Sequence, residues 1–246
     1  MRLRLLTLMT ATALTLGACG DDEETPVADT PPAAATTPAA STPAATTPPP
    51  AETEEVEVKK GECADVPAAA PKPADTPEPS GSLPTDVRNI LTLKTSCGEI
   101  KIELDAEKNP KTANSMATLA KAGYYDGLSF HRTVQGFVVQ GGDPAGNGSG
   151  GPSWKVVEKP ADDAKYTEGV VAMAKTGTEA PGTSGSQFFI VTASDVGLPP
   201  EYAIAGKVVK GQDIANLISE QGTEGQDGPP KKPVVIFSAT LDTKAK

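Results

Sequence analysis

The last 161 residues of this chain, 86–246, predict a mainly β domain, an antiparallel barrel or sandwich with two short helices. Three observations carry the prediction. Short apolar runs with β-type composition recur between Gly and Pro loops, and only two segments show helical periodicity. All ten aromatic residues fall between Tyr124 and Phe237, so the material for a core is concentrated there. Strands that outnumber helices this far do not make βαβ units.

Residues 1–18 are a targeting segment. Arg2 and Arg4 form a positive start, residues 5–16 an apolar run too short to span a bilayer comfortably, and Gly17-Ala18 precede Cys19. This pattern resembles the lipobox of bacterial lipoproteins. It implies cleavage before Cys19, acyl chains such as palmitate on that cysteine, and a mature protein anchored to the membrane on its extracytoplasmic face, in the cell envelope.

Residues 19–85 are read as the lipidated cysteine followed by a disordered linker. Fourteen of the 24 prolines lie before residue 85, no aromatic does, and Ala, Thr, Asp and Glu fill the rest. Such a segment buries too little apolar surface to offset its ordering entropy. Thr-Pro and Pro-Pro-Pro steps favour extended polyproline, which suits a spacer. With Cys19 lipidated, Cys63 and Cys97 remain, and a bridge is favoured over two free thiols in an exported chain. It would close about 33 residues, contribute roughly 3–4 kcal/mol, and pin the linker to the first hairpin.

Residues 89–105 read as that hairpin, turning at Cys97-Gly98, with Ile100, Ile102 and Leu104 on one face. Pro110 starts a helix whose stripe of Ala113, Met116, Ala117 and Ala120 stops at Gly123. Residues 137–139, 169–174, 187–191, 203–209 and 234–241 are strands, and 212–219 a second helix ended by Gly222.

Charge excludes some functions. The net −10 divides into 5 basic and 13 acidic residues in 1–85 against 17 and 19 in 86–246, which leaves a nearly neutral domain without the basic excess that nucleic-acid binding uses. A single histidine, His131, excludes a multi-His metal site. Neither metal nor cofactor is expected, and a monomer is. Gly146-x-Gly148-x-x-Gly151 runs into Pro152 rather than a helix and is a loop, not a dinucleotide fingerprint.

Five blocks carry a family resemblance: Phe130-His131-Arg132, residues 136–144 (GFVVQGGDP), residues 169–174 (GVVAMA), residues 185–190 (GSQFFI), and Gly206-Lys207-Val208. In this order and near these spacings they resemble the cyclophilins, the cyclosporin-binding peptidyl-prolyl cis/trans isomerases. The resemblance implies an eight-stranded antiparallel β-barrel capped by two α-helices. It implies Arg132 and Gln140 as the catalytic residues, the glutamine steadying the arginine. Phe137, Val138, Phe189 and Leu198 match the proline pocket, Ala174 and Lys175 the stretch whose backbone binds the residue before proline, and Gln187 a polar contact on the same rim. Tyr202 stands where many relatives have histidine, and Val138 replaces a longer side chain. Gly197 stands where cyclosporin-sensitive members have tryptophan, which predicts weak drug binding, and the loop 176–184 is a few residues longer than is common.

The residues suit this chemistry. Rotation about an X-Pro bond must lose amide resonance, a barrier of about 18–20 kcal/mol, and needs no nucleophile. An apolar pocket for the ring and a donor matched to the twisted amide lower it. Arg132 is permanently protonated and carries a planar fork of donors. His131 is structural rather than a general base, because no proton is transferred. Alternation assigns Phe188 to the core and Phe189 to the opposite face. The expected function is thus a prolyl isomerase that assists folding of exported proteins, with proline-containing peptides and unfolded chains as partners. The alternative is a catalytically weak proline-peptide-binding module tethered to the envelope. The arginine over the twisting bond favours the enzyme.

Overall fold

The computed structural model describes residues 58–246. The targeting segment, Cys19 and the linker up to residue 57 lie outside the described residues. The chain forms β1 (Val87–Thr95), β2 (Gly98–Leu104), α1 (Pro110–Lys121), β3 (Phe130–Val134), β4 (Val138–Gly141), β5 (Val156–Val157), β6 (Val170–Met173), β7 (Thr183–Ser184), β8 (Phe188–Val191), β9 (Ile204–Lys210), α2 (Gln212–Glu220) and β10 (Ile236–Ala245). Eight strands make one antiparallel sheet in the order β10-β1-β2-β9-β6-β8-β4-β3, while β5 and β7 pair separately. The sheet curls until its outer strands approach: Phe130 N donates to Val234 O at 2.9 Å and Ile236 N to Leu128 O at 2.8 Å. A single bridge, Ser129–Val235, forms there rather than a full ladder, so the barrel is curled and incompletely zipped.

The strict alternation of Ile100, Ile102 and Leu104 places all three in the core. Helix α1 begins at Pro110, whose missing N–H would be unpaired there in any case. Asn109 makes no side-chain cap; the Glu158 carboxylate, 46 residues beyond Thr112, accepts from the Thr112 N–H at 2.8 Å instead. Met116 and Leu119 of α1, and Ala215 and Ile218 of α2, pack into the main core with Phe130, Phe188 and Ile190. A second, smaller cluster of Val138, Tyr166, Val170, Ala172, Phe189 and Val191 contains no helix residue.

The expected boundary at residue 85 needs correction. Residues 63–84 lie along the domain as a strap. Cys63 is bonded to Cys97, and Ala64 N donates to Ser96 O at 2.7 Å. Lys72 Nζ donates to the carbonyls of Gly123 and Asp126, Trp154 Nε1 to Thr76 O, and Asn89 Nδ2 to Pro84 O. Leu83 is buried in the main core. Composition argues for disorder because the segment has no core of its own; what orders it is a disulfide, one side chain in the domain's core and hydrogen bonds to several separate elements, which pin it at intervals.

Candidate functional site

Strand register builds the site. Arg132 of β3 pairs with Gln140 of β4, Gln140 with Phe189 of β8, Phe189 with Ala172 of β6, and Ala172 with Ile204 of β9. Directly paired residues share a face, so these five form one row on the side of the sheet away from the main core. Simple alternation would put Arg132 on the same face as Phe130, which is fully buried. A register shift between them makes His131 an extra residue and turns Arg132 outward.

A cavity of about 240 Å³ opens beside this row, lined by Arg132, Phe137, Val138, Gln140, Ala174, Lys175, Phe189, Leu198 and Tyr202. Nine of the ten residues assigned above to catalysis or substrate binding thus meet in one place. Gln187 is the exception. It lines a neighbouring cavity of about 410 Å³ that shares Gln140, Ala174 and Lys175, and it reaches the first only through Gln140, whose Nε2 donates to Gln187 Oε1 at 3.0 Å.

The polar wall is a relay. Arg132 Nη1 donates to Gln140 Oε1 at 3.1 Å, and Gln187 Nε2 donates to the carbonyls of Gly148 and Gly150, both at 2.9 Å. The buried Asp143 carboxylate orders that glycine loop by accepting the N–H groups of Ala145, Asn147 and Gly148. Gly142 occupies φ +84°, and a Cβ there would lie 2.4 Å from Ser186 O, so only glycine lets β4 end against the 185–190 block. His131 Nε2 stands 3.5 Å from Gln140 Nε2. Burial pushes the His131 imidazole below its ordinary value, and adjacent Arg132 adds to this against the pull of Asp143.

The apolar wall is aromatic. Phe189 and Tyr202 stack edge to face with centroids 5.5 Å apart, and Tyr166 packs against both. The Tyr166 hydroxyl donates to Tyr202 O at 2.7 Å and accepts from Tyr202 N at 2.9 Å, which fixes the backbone at the pocket lip. Lys175 is a charge on the rim: its side chain is 4% exposed, pairs with Glu201 at 3.0 Å and lies 5.5 Å over the Tyr202 ring.

Two contributors escaped the sequence reading. Tyr166 stands in no recognised block. Asp227, between α2 and β10, clasps Arg132 through Nε–Oδ1 and Nη2–Oδ2 contacts of 2.7 Å each. Nothing local marks either; the second partnership spans 95 residues.

One wall of this cavity is aromatic and apolar, the other carries the Arg132 fork and Gln140, an arrangement that can seat an apolar group beside a permanently charged donor. The family model described as cyclophilin-type peptidyl-prolyl cis-trans isomerase/CLD matches residues 90–241, and the chain belongs to that family of isomerases. It is 41% identical over 143 residues to peptidyl-prolyl cis-trans isomerase CYP18-1 of Arabidopsis thaliana, covering 56% of this chain and 88% of that protein. It is 38% identical over 168 residues to peptidyl-prolyl cis-trans isomerase A of Mycobacterium tuberculosis, covering 61% and 90%. Among solved structures, a Cryptosporidium parvum cyclophilin-type isomerase superposes with TM-score 0.58 at 31% identity, covering 64% of this chain and 99% of that one. The same protein in the presence of the dipeptide Ala-Pro gives 0.57, at 31% identity and 63% and 99% coverage.

Proposed function

We propose that this isomerase turns over X-Pro bonds of exported proteins at the outer face of the membrane, with the proline ring in the Phe137–Val138–Phe189–Leu198 pocket. Arg132 donates to the proline nitrogen as it pyramidalises. The observation that carries this is the row geometry, which sets a permanently charged fork across from the apolar, aromatic wall of the cavity. The planar amide has its nitrogen lone pair delocalised and accepts poorly; the twisted amide accepts well, so the donor favours the transition state. Water is kept from the ring by Phe189 and Tyr202, which strengthens that contact. Gln140 holds Nη1 in place. The Ala-Pro dipeptide in the related structure supports the substrate class. For the location, support comes from the Arg2–Arg4 start, the apolar run and Cys19.

Cis/trans exchange of an Ala-Pro peptide, followed by NMR with the whole chain, tests the mechanism. Arg132→Ala should lower kcat/KM by about two to three orders of magnitude, the cost of one well-aimed donor. Peptide binding with wild-type exchange rates in that variant would remove Arg132 from the chemistry. Palmitate labelling that persists in Cys19→Ala would remove the anchor.

A further inference from the structure

Arg132 has five N–H donors and spends three of them inside the protein: one on Gln140 and two on Asp227. Asp227 does not line the proline pocket. It lines a second cavity of about 370 Å³, which shares Arg132 and Gln140 with the first and adds His131, Asn147 and Gly148. The carboxylate therefore meets the guanidinium from outside the proline pocket. It is itself held, because Thr133 N on β3 donates to the adjacent Gly228 O at 2.7 Å, and Lys231 N donates to Gln221 O at 2.7 Å across the loop.

The geometry points to Asp227 as the positioning residue of this isomerase, clamping the Arg132 guanidinium so that its two unspent N–H donors serve the proline pocket. The inference rests on the role given to Arg132 above. The Asp227 side chain is 60% exposed, so the pair adds little to stability. Its value is geometric: a side-on bidentate clasp fixes the guanidinium plane, and Gln140 fixes its remaining rotation. An arginine free to swing would spend most of its time misaligned with the twisted amide, which costs turnover more than ground-state binding. The hydrogen bonds from Arg132 hold the Asp227 carboxyl below the usual carboxylate range, so the clamp stays charged through the neutral range.

The test uses the whole chain, with wild type, Arg132→Ala, Asp227→Asn and Asp227→Glu compared by Ala-Pro peptide exchange and thermal unfolding. Asp227→Asn replaces one acceptor with a donor and cannot form the clasp. It should lower kcat about 5- to 20-fold, with KM changed less than about twofold and the unfolding midpoint nearly unmoved. Asp227→Glu, which keeps the forked carboxylate, should recover part of kcat. A readout independent of turnover is the ¹⁵N-edited Arg132 Nε–H resonance: in wild type it should move only on acidification below the usual Asp range, and in Asp227→Asn it should shift and lose that acid-dependent movement, while the Arg88 resonance, clasped by Glu103, stays in place as an internal control. If Arg132→Ala retains exchange, the catalytic reading of Arg132 and this proposal both fall. If Arg132→Ala is inactive and Asp227→Asn keeps kcat within twofold, or loses kcat only together with a large drop in midpoint, the clamp alone is overturned.

Discussion

Two neighbouring rows of the same sheet meet opposite fates. Thr133, Val139, Ile190, Val171 and Gly206 are mutually paired across five strands, and so, one register step away, are Arg132, Gln140, Phe189, Ala172 and Ile204. Val139, Ile190 and Val171 belong to the main core, to which α1 and α2 contribute Met116, Leu119, Ala215 and Ile218. The second row is covered by loop residues alone, Tyr166, Val196 and Leu198 among them. Both faces are apolar at their centre. Where helices complete the covering layer the result is a close-packed core, and where only loops do, a cavity of about 240 Å³ remains with a charged rim. The candidate site thus occupies the face that the fold leaves half covered.

Breaking the covered side should have the largest effect. Phe188 is fully buried, edge to face with Tyr125 and Phe130, so Phe188→Ala should cost about 3–5 kcal/mol in urea unfolding. A loss under 1 kcal/mol would mean the two faces are packed alike. The strap comes next: Cys63→Ser opens a bridge with a sequence separation of 34 and should lower stability by up to about 3–4 kcal/mol, with new proteolytic cuts in residues 64–84. Undiminished protease resistance would show that Leu83 and the Lys72 contacts suffice. Phe189→Ala sharpens the contrast, since its ring already borders a void. It should cost less stability than Phe188→Ala yet lower kcat/KM about tenfold, a balance measurable by exchange and unfolding on the same sample.

The smallest effect concerns His131, the extra residue at the shift between the rows. Its folded-state value is depressed, so the unfolded chain takes up the proton first and stability declines as pH falls from the ordinary 6.5 toward the folded value. From pH 8 to 6.5 stability and exchange should both be flat, because neutral imidazole prevails and no proton is transferred. A bell-shaped rate profile centred in that range would restore His131 to the chemistry.

Much of this arrangement is legible in the residues, and the parts that are not share a cause. Alternation in Ile100, Ile102 and Leu104 predicts the hairpin, and Pro110 with the Ala113–Met116–Ala117–Ala120 stripe predicts α1, because a strand or helix face repeats with a period that only the local backbone sets. The opposite facing of Phe188 and Phe189 follows from the same rule. Residues 130–134 read as a recognised block rather than as a strand, and the last strand extends to Ala245 instead of stopping at residue 241. Strand ends are decided by available partners: β1 runs antiparallel to β10 as far as Val87 opposite Ala245.

By itself, then, the sequence determines the β class and the two helices, since each depends on residue type at short spacing, and its motif blocks mark the family, whose resemblance implies the pocket residues. Tertiary structure alone decides that Arg132 faces outward, through the extra residue at His131; that Asp227 clasps it from 95 residues away; that the Tyr166 hydroxyl fixes the pocket lip; and that residues 63–84 lie on the domain. Each is a pairing between distant segments, whose free energy arises only once the register and closure of the sheet have brought them into contact.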